Sequence, residues 1–269
     1  MTAGLDSPDP RLRAAFATVR REDFLGPPPW TVLEDPARPT DEPADLYRDV
    51  LVVLDRGKGL NNGSPSLHAR MLHRLAVRPG QRVLHVGAGG GYYTAMLAEL
   101  AGPGGQVTAV EFDTALAAAA RANLRPWPQV ALVHGDGADF PTETTERIYV
   151  NFGVADPADA WLDRLAIGGV LIFPLAVPDP DWGAPLDARG AMLVVTRTPS
   201  GFAAEADMPV GFVFAEGPTA GSEPLRTALW EAFRRGGIAR VRSLHRGRLP
   251  AAQSWFSSDR FSLGLHPPG

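Results

Sequence analysis

The chain is expected to fold as an α/β protein with a mostly parallel sheet, helices on both faces and an antiparallel hairpin near the end of the core. Three observations carry this expectation. From residue 81 onward, short apolar runs alternate with segments of helical periodicity, as in a parallel sheet covered on both sides. Val83-Leu84-His85-Val86 runs straight into Gly87-Ala88-Gly89-Gly90-Gly91, which reads as a strand, a glycine turn and the start of a helix. Finally, Ala191–Arg197 and Phe202–Met208 flank Thr198-Pro199-Ser200-Gly201, two extended runs joined by a tight turn.

The elements follow in order. Residues 9–25 carry Leu12, Ala15, Phe16 and Val19 at helical spacing and stop before Pro27-Pro28-Pro29. Residues 26–45, rich in Pro, Asp and Glu, read as an irregular surface loop. Val50-Leu51-Val52-Val53-Leu54 is a short strand, Gly57–Pro65 a loop, and Ser66–Leu75 a helix with Leu67, Met71, Leu72 and Leu75 inward. Strands are then expected at 82–86, 106–111, 129–133, 147–152 and 169–174, with helices at 91–101, 113–123 and 157–165. Gly211–Phe214 adds an extended piece after the hairpin. A helix follows at about 222–235, and an arginine-rich tail closes the chain.

Composition narrows the chemistry. An apolar fraction of 45% and a charged fraction of 21% are those of an ordinary soluble globular protein. A net charge of −4 provides no global field to draw the chain onto nucleic acid or an anionic membrane. There is no cysteine, which excludes disulfides, thiolate catalysis and cysteine-based metal sites together. Met1 to Arg13 is polar and proline-broken, no run approaches the roughly 18 apolar residues of a membrane span, and the expected location is cytoplasmic. His68 and His73 lie five apart, off the spacing that puts two ligands on one helix face, so no metal is expected.

The spacing of the glycines separates two nucleotide chemistries. A dinucleotide fingerprint needs its third glycine three residues after the second. Here that position is Tyr92, and the glycines fall at 87, 89 and 91. Ligands of open parallel sheets sit at the carboxyl ends of strands. Glu111 ends the next strand, where an ionised carboxylate can receive both hydroxyls of a ribose; Phe112 follows, and Asp113 is fit to cap the next helix. One strand later, Asp136 can accept from an adenine amino group while Gly137 leaves room for the ring. Taken singly, Glu111 is a strand-end charge and Gly135-Asp136-Gly137 a common turn composition. Three successive strand ends, each with a suitable loop, point to one site.

The glycine spacing resembles that of class I S-adenosylmethionine-dependent methyltransferases, and the stretch from about Val19 to Gly217 resembles the protein-L-isoaspartate O-methyltransferase family. The resemblance rests on Val19-Arg20-Arg21-Glu22-Asp23-Phe24-Leu25 beside that family's V-R-x-x-F, and on Arg82–Tyr92 followed by Leu100–Val107. It continues through Glu111, Ala120-Arg121-Ala122-Asn123-Leu124, Gly135-Asp136-Gly137, Leu165–Leu175 and the hairpin leading to Val210–Phe214. It implies a Rossmann-like class I methyltransferase fold, with S-adenosylmethionine held by His85, Gly87, Ala88, Gly89, Gly91, Tyr92, Glu111, Phe112, Asp136 and Gly137. The product cofactor would be S-adenosylhomocysteine. The implied acceptor is a carboxylate, isoaspartyl or another peptide or small-molecule acid; a carboxylate is ionised at pH 7 and needs no general base. The implied division is an N-terminal extension on the substrate side (1–65), a cofactor-binding core (66–217) and a C-terminal extension (218–269).

Two departures stand out. The family carries an acid where this chain has His85. The family also has a loop reading G-Q-T-I-S-A-P-H-M-H-A, whose serine lies at substrate and cofactor. This chain has Gly59-Leu60-Asn61-Asn62-Gly63-Ser64-Pro65-Ser66-Leu67-His68-Ala69, with Gly63 at the serine position. Ser64 and Asn62 therefore stand as catalytic candidates, and Leu60, Asn61, Gly63, His68 and Asn151 as substrate-side ones. Two alternatives remain open at this point: a small-molecule methyltransferase of specialised metabolism with the tail in its acceptor site, and a non-catalytic cofactor-binding module. The arginines at 234, 235, 240, 242, 246 and 248 read as a solvated face, and Trp230, Trp255, Phe256 and Phe261 as packing for the tail.

Overall fold

A computed structural model describes residues 9–178 and 187–269; the first eight residues of the polar opening lie outside them. The chain forms two compact units, one running to Gly137 and the other from Ala138.

The first unit opens with α1 (Pro10–Thr18), capped by the Asp9 carboxylate on the Arg11 N–H and burying Leu12, Ala15 and Phe16. The helix expected over 9–25 is broken: the backbone turns extended at Val19 and resumes as a 3₁₀ turn over Arg21–Phe24 that carries the Arg21 side chain into the interior. The stretch expected to be irregular instead holds β1 (Trp30–Leu33), β2 (Arg38–Thr40) and α2 (Pro43–Leu46). With β3 (Leu51–Asp55) and β4 (Leu60–Asn61) these strands form an antiparallel sheet in the order β2-β1-β3-β4. Trp30, Val32, Leu46, Val50 and Val52 make its core. Strands this short show too few alternations to be read locally; their partners define them.

α3 (Pro65–Leu75), β5 (Arg82–Val86), α4 (Tyr92–Ala101), β6 (Gln106–Glu111), α5 (Thr114–Asn123) and β7 (Val130–His134) then follow the expected alternation. β5, β6 and β7 are parallel neighbours, with His85 opposite Ala109 and Glu111 opposite His134. α4 is apolar nearly all round and is buried along all but one residue, so it is a core helix rather than an amphipathic cover.

The second unit contains β8 (Thr145–Val150), α6 (Asp159–Asp163), β9 (Leu165–Pro178), β10 (Asp187–Thr198), β11 (Gly201–Val213), α7 (Glu223–Arg235), β12 (Ser243–Arg246), β13 (Ser254–Ser257) and β14 (Phe261–Gly264). β8 and β9 are parallel; β9, β10, β11, β12, β14 and β13 continue as antiparallel neighbours. The tail expected to be an arginine-rich extension is thus three strands added beyond the hairpin. Ser243 and Ser262, both fully buried, sit within those strands and hide their pattern. Arg246 pairs with Asp159 and Asp163, Arg260 with Asp156 and Asp159, and Arg248 with Asp259, so these exposed cations are engaged in ion pairs. Trp255, Phe256 and Phe261 are buried as expected. Among the described residues no helix is long and apolar enough to cross a membrane.

Candidate active site

The glycine turn after β5 takes the conformation its spacing foretells. Gly87, Gly89 and Gly91 stand at φ 78°, 56° and 97°, the left-handed region that a side chain disfavours. Gly87 N–H and Ala88 N–H both donate to Val110 O, at 2.9 and 3.2 Å, tying the turn to β6. Gly90 is constrained differently: a Cβ there would stand 2.5 Å from Phe24 O, and Asn123 Nδ2 donates to its carbonyl at 2.9 Å. α4 starts at Gly91 with no side-chain cap, leaving a helix N-terminus open on the turn.

Glu111 joins the turn to the end of β6. Its Oε2 accepts the Gly89 N–H at 2.6 Å and its Oε1 the Asp113 N–H at 2.9 Å. It is 7% exposed, and burial raises its carboxyl above the ordinary value against the lowering effect of these amides. Each carboxylate oxygen still has a lone pair to offer, so this pair of acceptors suits the two hydroxyls of a ribose. Phe112 beside it is 61% exposed, an unusual position for a large ring. Asp113 caps α5 through the N–H groups of Ala115 and Leu116, and its other oxygen pairs with the Lys58 ammonium from the β3–β4 hairpin. Leu54 on the same hairpin lies 3.6 Å from where a Gly89 Cβ would stand. At the end of β7, Asp136 is half-buried and Gly137 is obligatory, since a Cβ there would come within 1.9 Å of Val86 Cγ1. His134 Nε2 lies 3.1 Å from Phe112 O and 3.2 Å from the Thr114 hydroxyl, linking this strand end to the Glu111 loop.

Three residues expected to touch ligand are enclosed instead. His85 is fully buried, its Nδ1 2.8 Å from the Thr94 hydroxyl, and burial drives it down to about 3, so it is neutral. The ring has no accessible surface and ties β5 to α4. Tyr92 is also enclosed, packed on Phe24 and Tyr93, which leaves only its backbone to the turn. His68 is fully buried and stacked on Tyr93 at 3.6 Å between ring centroids. Burial, His85 and Arg21 lower its pKa, so it too is neutral.

The loop at 59–66 has no room for a side chain at the position where the family it resembles carries serine. Gly63 adopts φ 64°, and a Cβ there would lie 2.2 Å from His68 Nε2. In this conformation no side chain fits. Ser64, one place along, caps α3 on the Leu67 N–H and donates to Asp49 Oδ1 at 2.8 Å; Ser66 donates to Asp49 Oδ2 at 2.6 Å. These contacts employ Ser64 as a cap, so it is not a free nucleophile. Leu60 is half-buried on β4, and Asn61 Oδ1 accepts the Gly63 N–H at 2.9 Å. Asn62 N–H donates to Val52 O at 2.8 Å, and its side-chain oxygen accepts from Arg21 Nε at 2.9 Å. Arg21 was visible in the sequence only as one letter of a motif; its fully buried guanidinium also donates to the carbonyls of Leu46, Val50 and Gly63. Four charged residues lie between the core residues Val19 and Phe24, and of these Arg21 is the fully buried one. Asn151 belongs to the second unit, half-buried after β8, where Gly153 N–H binds Val213 O at 2.7 Å.

A glycine turn bound to a strand-end carboxylate is the arrangement of a nucleotide-binding α/β protein. The model of the family described as protein-L-isoaspartate(D-aspartate) O-methyltransferase (PCMT) matches residues 38–181. The protein-L-isoaspartate O-methyltransferase of Aeropyrum pernix is 33% identical over 230 residues, covering 83% of this chain and 79% of that one. A solved protein-L-isoaspartate O-methyltransferase superposes with a TM-score of 0.67 at 19% identity, over 99% of this chain and 86% of its own. One from Plasmodium falciparum, solved with S-adenosyl-L-homocysteine, gives 0.60 at 19% identity over 78% and 91%. The chain belongs to the protein-L-isoaspartate O-methyltransferase family, and its fold is the Rossmann-like one expected.

Proposed function

We propose that this chain transfers the methyl group of S-adenosylmethionine to a carboxylate of the isoaspartyl class on a peptide, leaving a methyl ester and S-adenosylhomocysteine. The observation that carries the cofactor half is the Glu111 carboxylate, oriented by the Gly89 and Asp113 amides with lone pairs to spare. Glu111 holds the ribose. The backbone of Gly87, Ala88, Gly89, Gly91 and Tyr92 accommodates the methionine end, while Phe112, Asp136 and Gly137 border the adenine. When bound, the cofactor supplies a methyl group on a positively charged sulfur, already activated for in-line attack by an oxygen nucleophile.

The remaining work of the chain is alignment and exclusion of water. A carboxylate acceptor is ionised at neutral pH, so the absence of a titratable base among the accessible groups of the 59–66 loop is no obstacle. His68 and His85, neutral and buried, place no charge beside a sulfonium. Leu60, Asn61 and Asn62 form the acceptor side.

Two measurements test this in sequence. Calorimetry with S-adenosylhomocysteine should give heat and a thermal shift; no binding would end the cofactor assignment. Labelled S-adenosylmethionine should then leave base-labile label on an isoaspartyl peptide and none on its normal aspartyl twin. Label on neither, with the cofactor bound, would end the acceptor assignment.

A further inference from the structure

We propose that Asn62, backed by the buried cation of Arg21, receives the acceptor carboxylate in this chain in place of the family's serine. This rests on the carboxylate-acceptor reading above. Arg21 is fully buried, and all four of its hydrogen-bond acceptors are neutral: the side-chain oxygen of Asn62 and the carbonyls of Leu46, Val50 and Gly63, at 2.8–2.9 Å. Among the described residues no carboxylate pairs with it. Asp49 lies near enough for Arg21 to help hold its carboxyl low, but that carboxylate is exposed and occupied by Ser64 and Ser66. A buried cation without a counter-ion is costly and leaves a positive potential around its partners.

Asn62 transmits that potential. A guanidinium only donates, so the atom that meets Arg21 is the amide oxygen, and the two N–H groups of Nδ2 remain to donate elsewhere. Asn62 is 6% exposed, its main chain is fixed to Val52 O, and among the described residues Nδ2 has no partner. An amide whose oxygen is bound to a cation is a stronger donor through its nitrogen. The neighbours are committed elsewhere: Gly63 has no side chain, Ser64 and Ser66 hold Asp49, and Asn61 closes a turn on Gly63.

One carboxylate oxygen accepting from Asn62 Nδ2 leaves the other oxygen free to attack. The negative charge of the acid is consumed as its oxygen bonds to the methyl carbon. Arg21 therefore favours the ionised substrate over the neutral ester and over the transition state between them. Its field should appear in KM rather than in kcat, and the ester should be released readily. Asn62 is then a binding residue and Arg21 a positioning residue.

Asn62→Asp separates this from a structural role. An aspartate opposite Arg21 still accepts its hydrogen bond and supplies a counter-ion, so a purely structural Asn62 predicts unaltered kinetics. If Asn62 binds the acceptor, thermal stability and S-adenosylhomocysteine affinity hold while KM for an isoaspartyl peptide rises roughly tenfold or more, the loss of one hydrogen bond to a charged group. In that case kcat changes little. Asn62→Leu, which removes the donor without adding charge, gives a smaller rise in KM and stands in if the aspartate variant does not fold. A folded variant with wild-type KM, or a loss carried by kcat or by cofactor affinity, overturns the assignment. A wild-type chain that binds S-adenosylhomocysteine yet methylates no isoaspartyl peptide fails earlier: the acceptor reading falls, and the role of Asn62 falls with it.

Discussion

The turn at 87–91 and the loop at 59–66 both depend on glycines at positive φ, yet they are held in opposite ways. The turn is fixed chiefly by backbone groups and one carboxylate between residues 87 and 113, with the Asn123 amide donating to the Gly90 carbonyl. The loop is fixed by Arg21, some forty residues earlier in the chain, through a buried charge with neutral partners. The difference teaches where sequence change is tolerated. Backbone amides and a strand-end acid present the same surface whatever the side chains around them, which suits the proposed cofactor side. The side proposed to receive the acceptor is a set of side chains on a charged support, Leu60-Asn61-Asn62-Gly63 over Arg21.

The strongest way to break the comparison is to remove the support. Arg21→Met leaves three carbonyls and an amide oxygen buried without donors and should cost about 3–5 kcal/mol, read by denaturant unfolding. A loss below about 1 kcal/mol would mean that the loop does not depend on its charge. Restoring the family's serine comes next. Gly63→Ser must displace His68, which is buried and stacked on Tyr93, and must hold a side chain at positive φ; about 2–4 kcal/mol of destabilisation is expected. Native stability together with faster isoaspartyl turnover would show that the loop simply shifts to accept it.

On the cofactor side, Glu111→Ala should weaken S-adenosylhomocysteine binding by about 1.5–3 kcal/mol, and an unchanged Kd in calorimetry would remove Glu111 from the site. Its pH dependence sharpens the same point. Burial raises the Glu111 carboxyl, so on acidification it loses its charge earlier than an exposed glutamate, and cofactor affinity should fall as pH drops through that raised value. Its effect on the free chain has the opposite sign. Relative to the unfolded state, the protonated form is the easier to bury, so this contribution to stability is present at low pH and is lost as pH rises. Titrations of affinity and of stability that move in the same direction would contradict the assignment. The smallest effect belongs to the pair between Lys58 and Asp113, where the two regions meet. Lys58 is half-exposed, so Lys58→Ala should cost no more than about 0.5 kcal/mol of stability, and that difference should vanish at high salt.

Legibility in the sequence follows the range of the interactions. The strands and helices from 82 to 134 lie within a residue or two of where periodicity puts them, because each carries its own apolar pattern and its own turn. β1 and β2 were missed, being strands of four and three residues whose identity comes from β3, and the tail strands were missed because arginines and buried serines mask them. Within the site, Glu111 stands beside the turn as its place in the βαβ unit implied. The enclosure of His85 and His68 could not be read, since a histidine on an apolar strand or helix looks the same whether its edge meets ligand or another side chain.

The sequence by itself determined the alternation of strand and helix, the glycine turn with its left-handed positions and the acid one strand later, because these are local properties of backbone and period. Only the tertiary structure decided that Arg21 is buried beneath the acceptor loop, that Gly63 has no room for a side chain and that Asn62 Nδ2 is left without a partner among the described residues. Those outcomes depend on which distant groups share a desolvated space, and the energy of a buried charge is set by all of its neighbours at once.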